Sequence, residues 1–199
     1  MKLFLIRHGE VKWKKIGFLS YTDLELTKKG IFQSRKLALH LKKEKIDEIY
    51  SSPLKRCIQT AKEIGKYLNL SVCLNHNLQE VNFGIFERLS IKEAERKYPE
   101  MFKKRQLDKW NFRIPEGESY KDAAKRLLPF IKKLAKKKDK NIVIVTHVTI
   151  IKILLKVLTN LPMEEIDQIY FLSTSITNFG FQDKKFKVIK VNDFSHLKK

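Results

Sequence analysis

Cysteine is nearly absent from this chain: Cys57 and Cys73 are the only two. Two thiols cannot build a disulfide framework, and no Cys-x-x-Cys spacing is present, so both are expected to be small core residues. Long apolar runs are missing too. No stretch approaches the roughly 18 to 20 apolar residues of a membrane helix. The apolar run at the amino terminus is only four residues long, at positions 3–6, before Arg7 and His8. That is too short for the apolar core of a signal peptide. A soluble, cytoplasmic protein is therefore expected, without a membrane partner.

Histidine is scarce as well, at five residues, and none of the five is spaced as His-x-x-x-His. A metal site has no support. Neither Gly-x-x-x-x-Gly-Lys nor Gly-x-Gly-x-x-Gly occurs, which excludes the familiar nucleotide-binding loops. No cofactor is expected.

Acidic residues are outnumbered 22 to 42 by Lys and Arg, giving a formal charge of +20 and a pI near 9.9. Such a field would concentrate anionic substrates. It also occurs in nucleic-acid binders, where the basic residues usually gather into a stripe with interleaved aromatics. Here only eight of the 42 are Arg, and Lys is spread along helices, as in Lys132, Lys133, Lys136 and Lys137. The pattern reads as solvated helix faces, and no specific nucleic-acid partner is expected.

The 199 residues suit a single domain spanning 1–199. Residues 3–6, 46–50, 71–74 and 141–146 read as strands. Helices are expected after Thr27, from Ser52 as cap and Pro53 as first helical residue to about Tyr67, from Ser119 to about Lys137, and over 149–158. Residues 78–115 form a helical and looped excursion. Two strands, 176–181 and 186–191, close the chain as a hairpin. Alternating strands and helices imply an α/β fold of three layers, αβα, around a mostly parallel sheet with an antiparallel edge. In such sheets ligands bind beyond the carboxyl ends of the strands. His8 and His147 each follow a strand directly, whereas His40, His76 and His196 fit structural positions equally well.

Six short motifs carry the chemistry: Arg7-His8-Gly9-Glu10; residues 23–30 with Leu26-Thr27; Ser51-Ser52-Pro53-Leu54-Lys55-Arg56; Glu80-Val81-Asn82-Phe83-Gly84; Pro115-Glu116-Gly117-Glu118; and Thr146-His147. In this order they resemble the histidine phosphatase superfamily, the phosphoglycerate-mutase-like proteins, over about residues 1–180. The resemblance implies that fold and a phosphoric monoester hydrolase working through phosphohistidine. It assigns His8 as nucleophile, Glu80 as proton donor, His147 as catalytic and phosphate-binding, and Arg7 and Arg56 as phosphate-binding. The residue chemistry agrees. A neutral imidazole attacks phosphorus, and guanidinium forks match phosphate oxygens. The competing structural readings are an Arg7–Glu10 ion pair, a solvated Glu80 and a merely buried His147.

Several positions depart from the family pattern. Val11 stands where Thr or Ser is frequent, and Trp13-Lys14 replaces Trp-Asn. Ser20 stands for Gly, Arg88 follows Glu87 in place of Gly, and Val148-Thr149 replace Gly-Gly or Gly-Asn. Lys14 and Ser20 are accordingly candidate pocket residues. The short chain resembles the phosphatase branch, most like alpha-ribazole phosphatase of cobalamin biosynthesis, with a small phosphorylated metabolite as partner. A phosphoglycerate mutase and a noncatalytic basic binding protein are the alternatives. Oligomeric state is left open by the sequence.

Overall fold

The computed structural model describes residues 1–13, 17–137 and 139–198. Its strands are β1 (Lys2–Arg7), β2 (Glu48–Ser51), β3 (Val72–Leu74), β4 (Asn141–Thr146), β5 (Ile176–Gln182) and β6 (Lys185–Asp193). They form one sheet in the order β3-β2-β4-β1-β5-β6. The pairings β2–β3, β2–β4 and β1–β4 are parallel, and β1–β5 and β5–β6 are antiparallel. The antiparallel side is the terminal hairpin expected from the sequence. Its turn residues Asp183 and Lys184 both take positive φ, 52° and 61°, the backbone of a tight primed hairpin turn.

The helices are α1 (Lys28–Leu41), α2 (Lys55–Leu68), α3 (Ile91–Lys97), α4 (Pro99–Leu107), α5 (Tyr120–Ala135), α6 (Val148–Thr159) and α7 (Met163–Asp167). Among the described residues, no helix is long and apolar enough to cross a membrane.

The uninterrupted apolar runs of β1 and β4 follow from burial on both faces. Successive strand side chains point to opposite sides. Leu3, Leu5, Ile142 and Ile144 join one core cluster with buried residues of α5 and α6. Phe4, Ile6, Val143 and Val145 join a second with residues of α1 and α2. Three layers result.

Local signals set most boundaries. Thr27 caps α1 by accepting from Gly30 N at 2.9 Å. At α5, Ser119 and Asp122 form the full reciprocal capping box. The start of α2 differs from expectation. Leu54, not Ser52, is its cap, and α2 begins at Lys55. The Lys55 N–H instead donates to Asp23 Oδ1 at 2.7 Å, so a carboxylate from a distant loop holds the helix start. Ser52 is otherwise engaged, as described below. The 78–115 excursion contains α3 and α4. Buried Arg105 of α4 pins it to the core, its guanidinium 5.0 Å from the Phe18 ring and 5.6 Å from Tyr120.

Candidate active site

Register brings the two strand-end histidines together. Arg7 of β1 pairs with Thr146 of β4, so His8 and His147 leave adjacent parallel strands side by side. Their ring centroids lie 5.4 Å apart at the carboxyl ends of those strands. A cavity of about 760 Å³ opens there, with Arg7, His8, Arg56, Glu80, Phe83 and Thr149 among its wall residues. Its size suits a small metabolite.

The backbone around His8 is held tightly. His8 N–H donates to Thr146 O at 3.0 Å, and Gly9 N–H donates to Thr60 Oγ1 at 2.9 Å. The amino end of α1 packs directly on this loop: a Cβ on Gly30 would stand 2.2 Å from Glu10 O. Only glycine fits there. His8 Nδ1 lies 2.8 Å from Gly9 O. A carbonyl only accepts, so Nδ1 carries the proton, and in the neutral ring Nε2 keeps its lone pair. Burial, followed by the charges of Arg56 and Arg7, holds the His8 pKa well below the ordinary imidazole value. The neutral, nucleophilic form is thereby favoured.

Arg56, the second residue of α2, is 1% exposed. It donates to Thr22 O at 2.9 Å and Ser20 O at 2.8 Å, while its Nε finds no partner. Arg7 donates through Nη1 to Phe171 O at 2.5 Å, and its Nε is also unpartnered. Among the described residues, neither guanidinium forms a salt bridge. Glu10 pairs instead with Lys29 at 2.8 Å and accepts from Thr27, which disposes of an Arg7–Glu10 pair. Two cations flanking a cavity and held only by carbonyls make an anion-binding cradle, since buried charge seeks a counter-charge.

Glu80 is not a solvated acid. It is 4% exposed, with Oε1 accepting from Val81 N at 2.9 Å and Oε2 from Thr149 N at 3.4 Å. Burial raises its pKa, opposed by the Val81 N–H and the charge of Arg56. A carboxyl shifted in this direction keeps its proton to higher pH than a solvated one. His147 caps α6 from a buried position, with Nε2 2.9 Å from Ser52 Oγ. Cys57 Sγ lies against the same ring, 3.4 Å from Nε2. Burial and then Arg56 lower the His147 pKa well below its usual value.

The structure thus brings His8, Arg7, Arg56 and Glu80 to one cavity, with His147 packed against His8 just behind its wall. Ser20 stands apart from this group. It is buried behind Arg56, its carbonyl bracing that guanidinium and its hydroxyl bonded to Glu87. It supports the wall without forming it. Lys14 lies outside the described residues. Sequence reasoning missed Thr149, Thr22, Ser52 as partner of His147, and the whole wall from 167 to 173. Thr149 had a signal in the Val148-Thr149 departure from the family pattern, and the last had one in the turn-prone Asn160-Leu161-Pro162 before α7.

Comparison with known proteins agrees with this geometry. The profile of the histidine phosphatase superfamily (branch 1) matches residues 3–194. Phosphoserine phosphatase 1 of Hydrogenobacter thermophilus is 28% identical over 199 aligned positions, covering 99% of this chain and 94% of that protein. The structure of a phosphoserine phosphatase mutant from Entamoeba histolytica in complex with phosphoserine superposes with a TM-score of 0.85 at 30% identity, covering 98% of each chain. A putative alpha-ribazole-5'-P phosphatase from Escherichia coli superposes with a TM-score of 0.86 at 23% identity, covering 97% of this chain and 96% of the other.

Proposed function

Because the chain belongs to the histidine phosphatase superfamily, branch 1, and is a phosphoric monoester hydrolase of that family, we propose that it dephosphorylates a small cytoplasmic metabolite through a phosphohistidine at His8. The observation that carries this reading is the pair of guanidiniums, Arg7 and Arg56, each with an unpartnered Nε and without a salt bridge among the described residues, flanking an imidazole whose pKa is held low. Unpaired Cys57 and Cys73 suit a reducing compartment.

In the first step the phosphate sits between Arg7, Arg56 and His147. The Nε2 lone pair of His8 forms the N–P bond as the P–O bond to the leaving group breaks. Glu80 gives its proton to the departing alkoxide. The two guanidiniums stabilise the charge that spreads over the equatorial oxygens. In the second step the Glu80 carboxylate takes a proton from water, the hydroxide oxygen bonds to phosphorus, and the N–P bond breaks. Inorganic phosphate leaves, with His8 neutral and Glu80 protonated again.

The finer identity of the substrate has two supports of unequal weight. The likeness to the alpha-ribazole-5'-P phosphatase is one of fold, whereas the phosphoserine phosphatases match in sequence along their length. Phosphoserine therefore heads the candidates, with alpha-ribazole 5'-phosphate beside it. A phosphoglycerate mutase would use the same first step with a hydroxyl as acceptor.

The test is a quenched incubation with labelled p-nitrophenyl phosphate or phosphoserine. Acid-labile, alkali-stable label on His8, lost in His8→Ala together with turnover, is the expected result. Full turnover by His8→Ala would overturn the mechanism.

A further inference from the structure

One part of the cavity wall carries charge that phosphate transfer does not use. Lys152 and Asp167 both line the cavity. Lys152 follows Val148 by four residues and Thr149 by three, and all three face the cavity, so one side of α6 leads from the reacting end outward. Lys152 Nζ donates to Asp167 Oδ1 at 3.1 Å and to Asp167 O at 3.2 Å. The other carboxylate oxygen, Oδ2, accepts from Lys109 Nζ at 2.7 Å. Two ammoniums share one carboxylate, leaving one net positive charge on the cluster, with Lys109 behind the wall that Lys152 and Asp167 form.

Two features make this group a built anion site and not a solvated rim charge. The first is shielding. The Lys152 side chain is 16% exposed and its carboxylate partner 19%, whereas Lys29, another cation lining the cavity, is 68% exposed. Water and salt screen the exposed charge far more. The second is preorganisation. An ammonium has three N–H donors, and two of those on Lys152 are spent on Asp167. The head group is thereby fixed with one donor left over, and its conformational freedom is already lost before any ligand arrives.

We propose that Lys152, anchored by Asp167, is a second anion-binding point that selects phosphomonoesters carrying a carboxylate close to the ester oxygen. The proposal rests on the phosphatase reading above. Thr149, whose N–H holds the proton donor Glu80, and Lys152 are separated by about 4.5 Å along the helix axis. Glu80 and Lys152 line the same cavity, so one ligand can place its leaving oxygen at Glu80 and a carboxylate at Lys152, as a phosphorylated hydroxy or amino acid would. A leaving group without a carboxylate gains nothing from this wall.

The test compares phosphoserine with phosphoethanolamine, the same molecule without its carboxylate, and with p-nitrophenyl phosphate. Wild-type protein is expected to favour phosphoserine over phosphoethanolamine by about tenfold or more in kcat/KM, carried mainly by KM. Lys152→Met should bring that ratio close to one and leave p-nitrophenyl phosphate turnover within about twofold, and Lys152→Arg should keep the preference. The wild-type ratio needs no variant, so a folding defect in Lys152→Met does not shelter the proposal. An equal rate for the two amine substrates, or a preference untouched by Lys152→Met, overturns it while leaving the phosphatase reading in place. Absence of p-nitrophenyl phosphate hydrolysis by wild-type protein overturns both.

Discussion

Ser52 Oγ lies 2.9 Å from His147 Nε2, although 95 residues separate the two in the chain. The contact joins the loop after β2 to the end of β4 and fixes the orientation of a ring that is 1% exposed. Ser52→Ala removes the only hydroxyl bonded to that ring among the described residues. The expected result is a fall in kcat of about tenfold with little change in KM, the worth of one lost hydrogen bond of ~1.4 kcal/mol. Steady-state kinetics with p-nitrophenyl phosphate measure it, and an unchanged kcat would show that His147 needs no such support.

Glu80 makes the pH dependence directional. Its folded pKa lies above its ordinary value because of burial, and the proposed first step uses the protonated form. The rate is therefore expected to decline as pH rises through that raised pKa. The acid limb sits low, because His8 stays neutral well below the usual imidazole range. Glu80→Gln should lower kcat by about 10² or more and abolish the alkaline limb.

The same residue affects stability with a predictable sign. A carboxyl whose folded pKa exceeds its unfolded one binds more protons when folded, so it loses stability as pH rises through the folded value. Gln does not titrate. The Tm advantage of Glu80→Gln over wild type should therefore widen between pH 4 and pH 8. Calorimetry at the two pH values decides, and an advantage that narrows with pH would contradict a raised pKa.

Gly30→Ala is the fourth test. In a helix interior this change ordinarily stabilises by up to about 1 kcal/mol. Here the added Cβ would stand 2.2 Å from Glu10 O and 2.9 Å from Glu10 N, both backbone atoms of the His8 loop. The expected sign is reversed, with a loss of about 1–3 kcal/mol and a lower kcat, because the loop that positions Nε2 must shift. Thermal melts and turnover of the purified variant measure both.

The parts of this molecule that local chemistry dictates were legible from sequence. Thr27 and Ser119 announce their helices, the apolar runs of β1 and β4 announce buried strands, and His8 and His147 mark the carboxyl end of the sheet. What escaped is set by tertiary contacts between distant segments. The pattern Ser52-Pro53 looks like a helix start, yet the hydroxyl faces His147 and Asp23 takes over the cap. Ser20 occupies a position that suggested the pocket, but its carbonyl is directed at Arg56 from behind. The wall from 167 to 173 begins at the last residue of the five-residue helix α7 and continues in irregular chain, so it has no periodicity that a sequence window could detect.

Cys57 has a use that follows from its seat against His147. Its thiol is fully buried, and burial pushes its pKa up to about 12, so in the closed protein it is inert to alkylating reagents. Cys73 is exposed and offers a second thiol on the same chain. Labelling should proceed in two kinetic phases, fast at Cys73 and slow at Cys57, with the slow phase timed by local opening between α2 and β4. Occupancy of the cradle by phosphate or vanadate would lengthen that phase. The protein thus carries its own clock and its own reference, able to report on ligand binding without any installed probe.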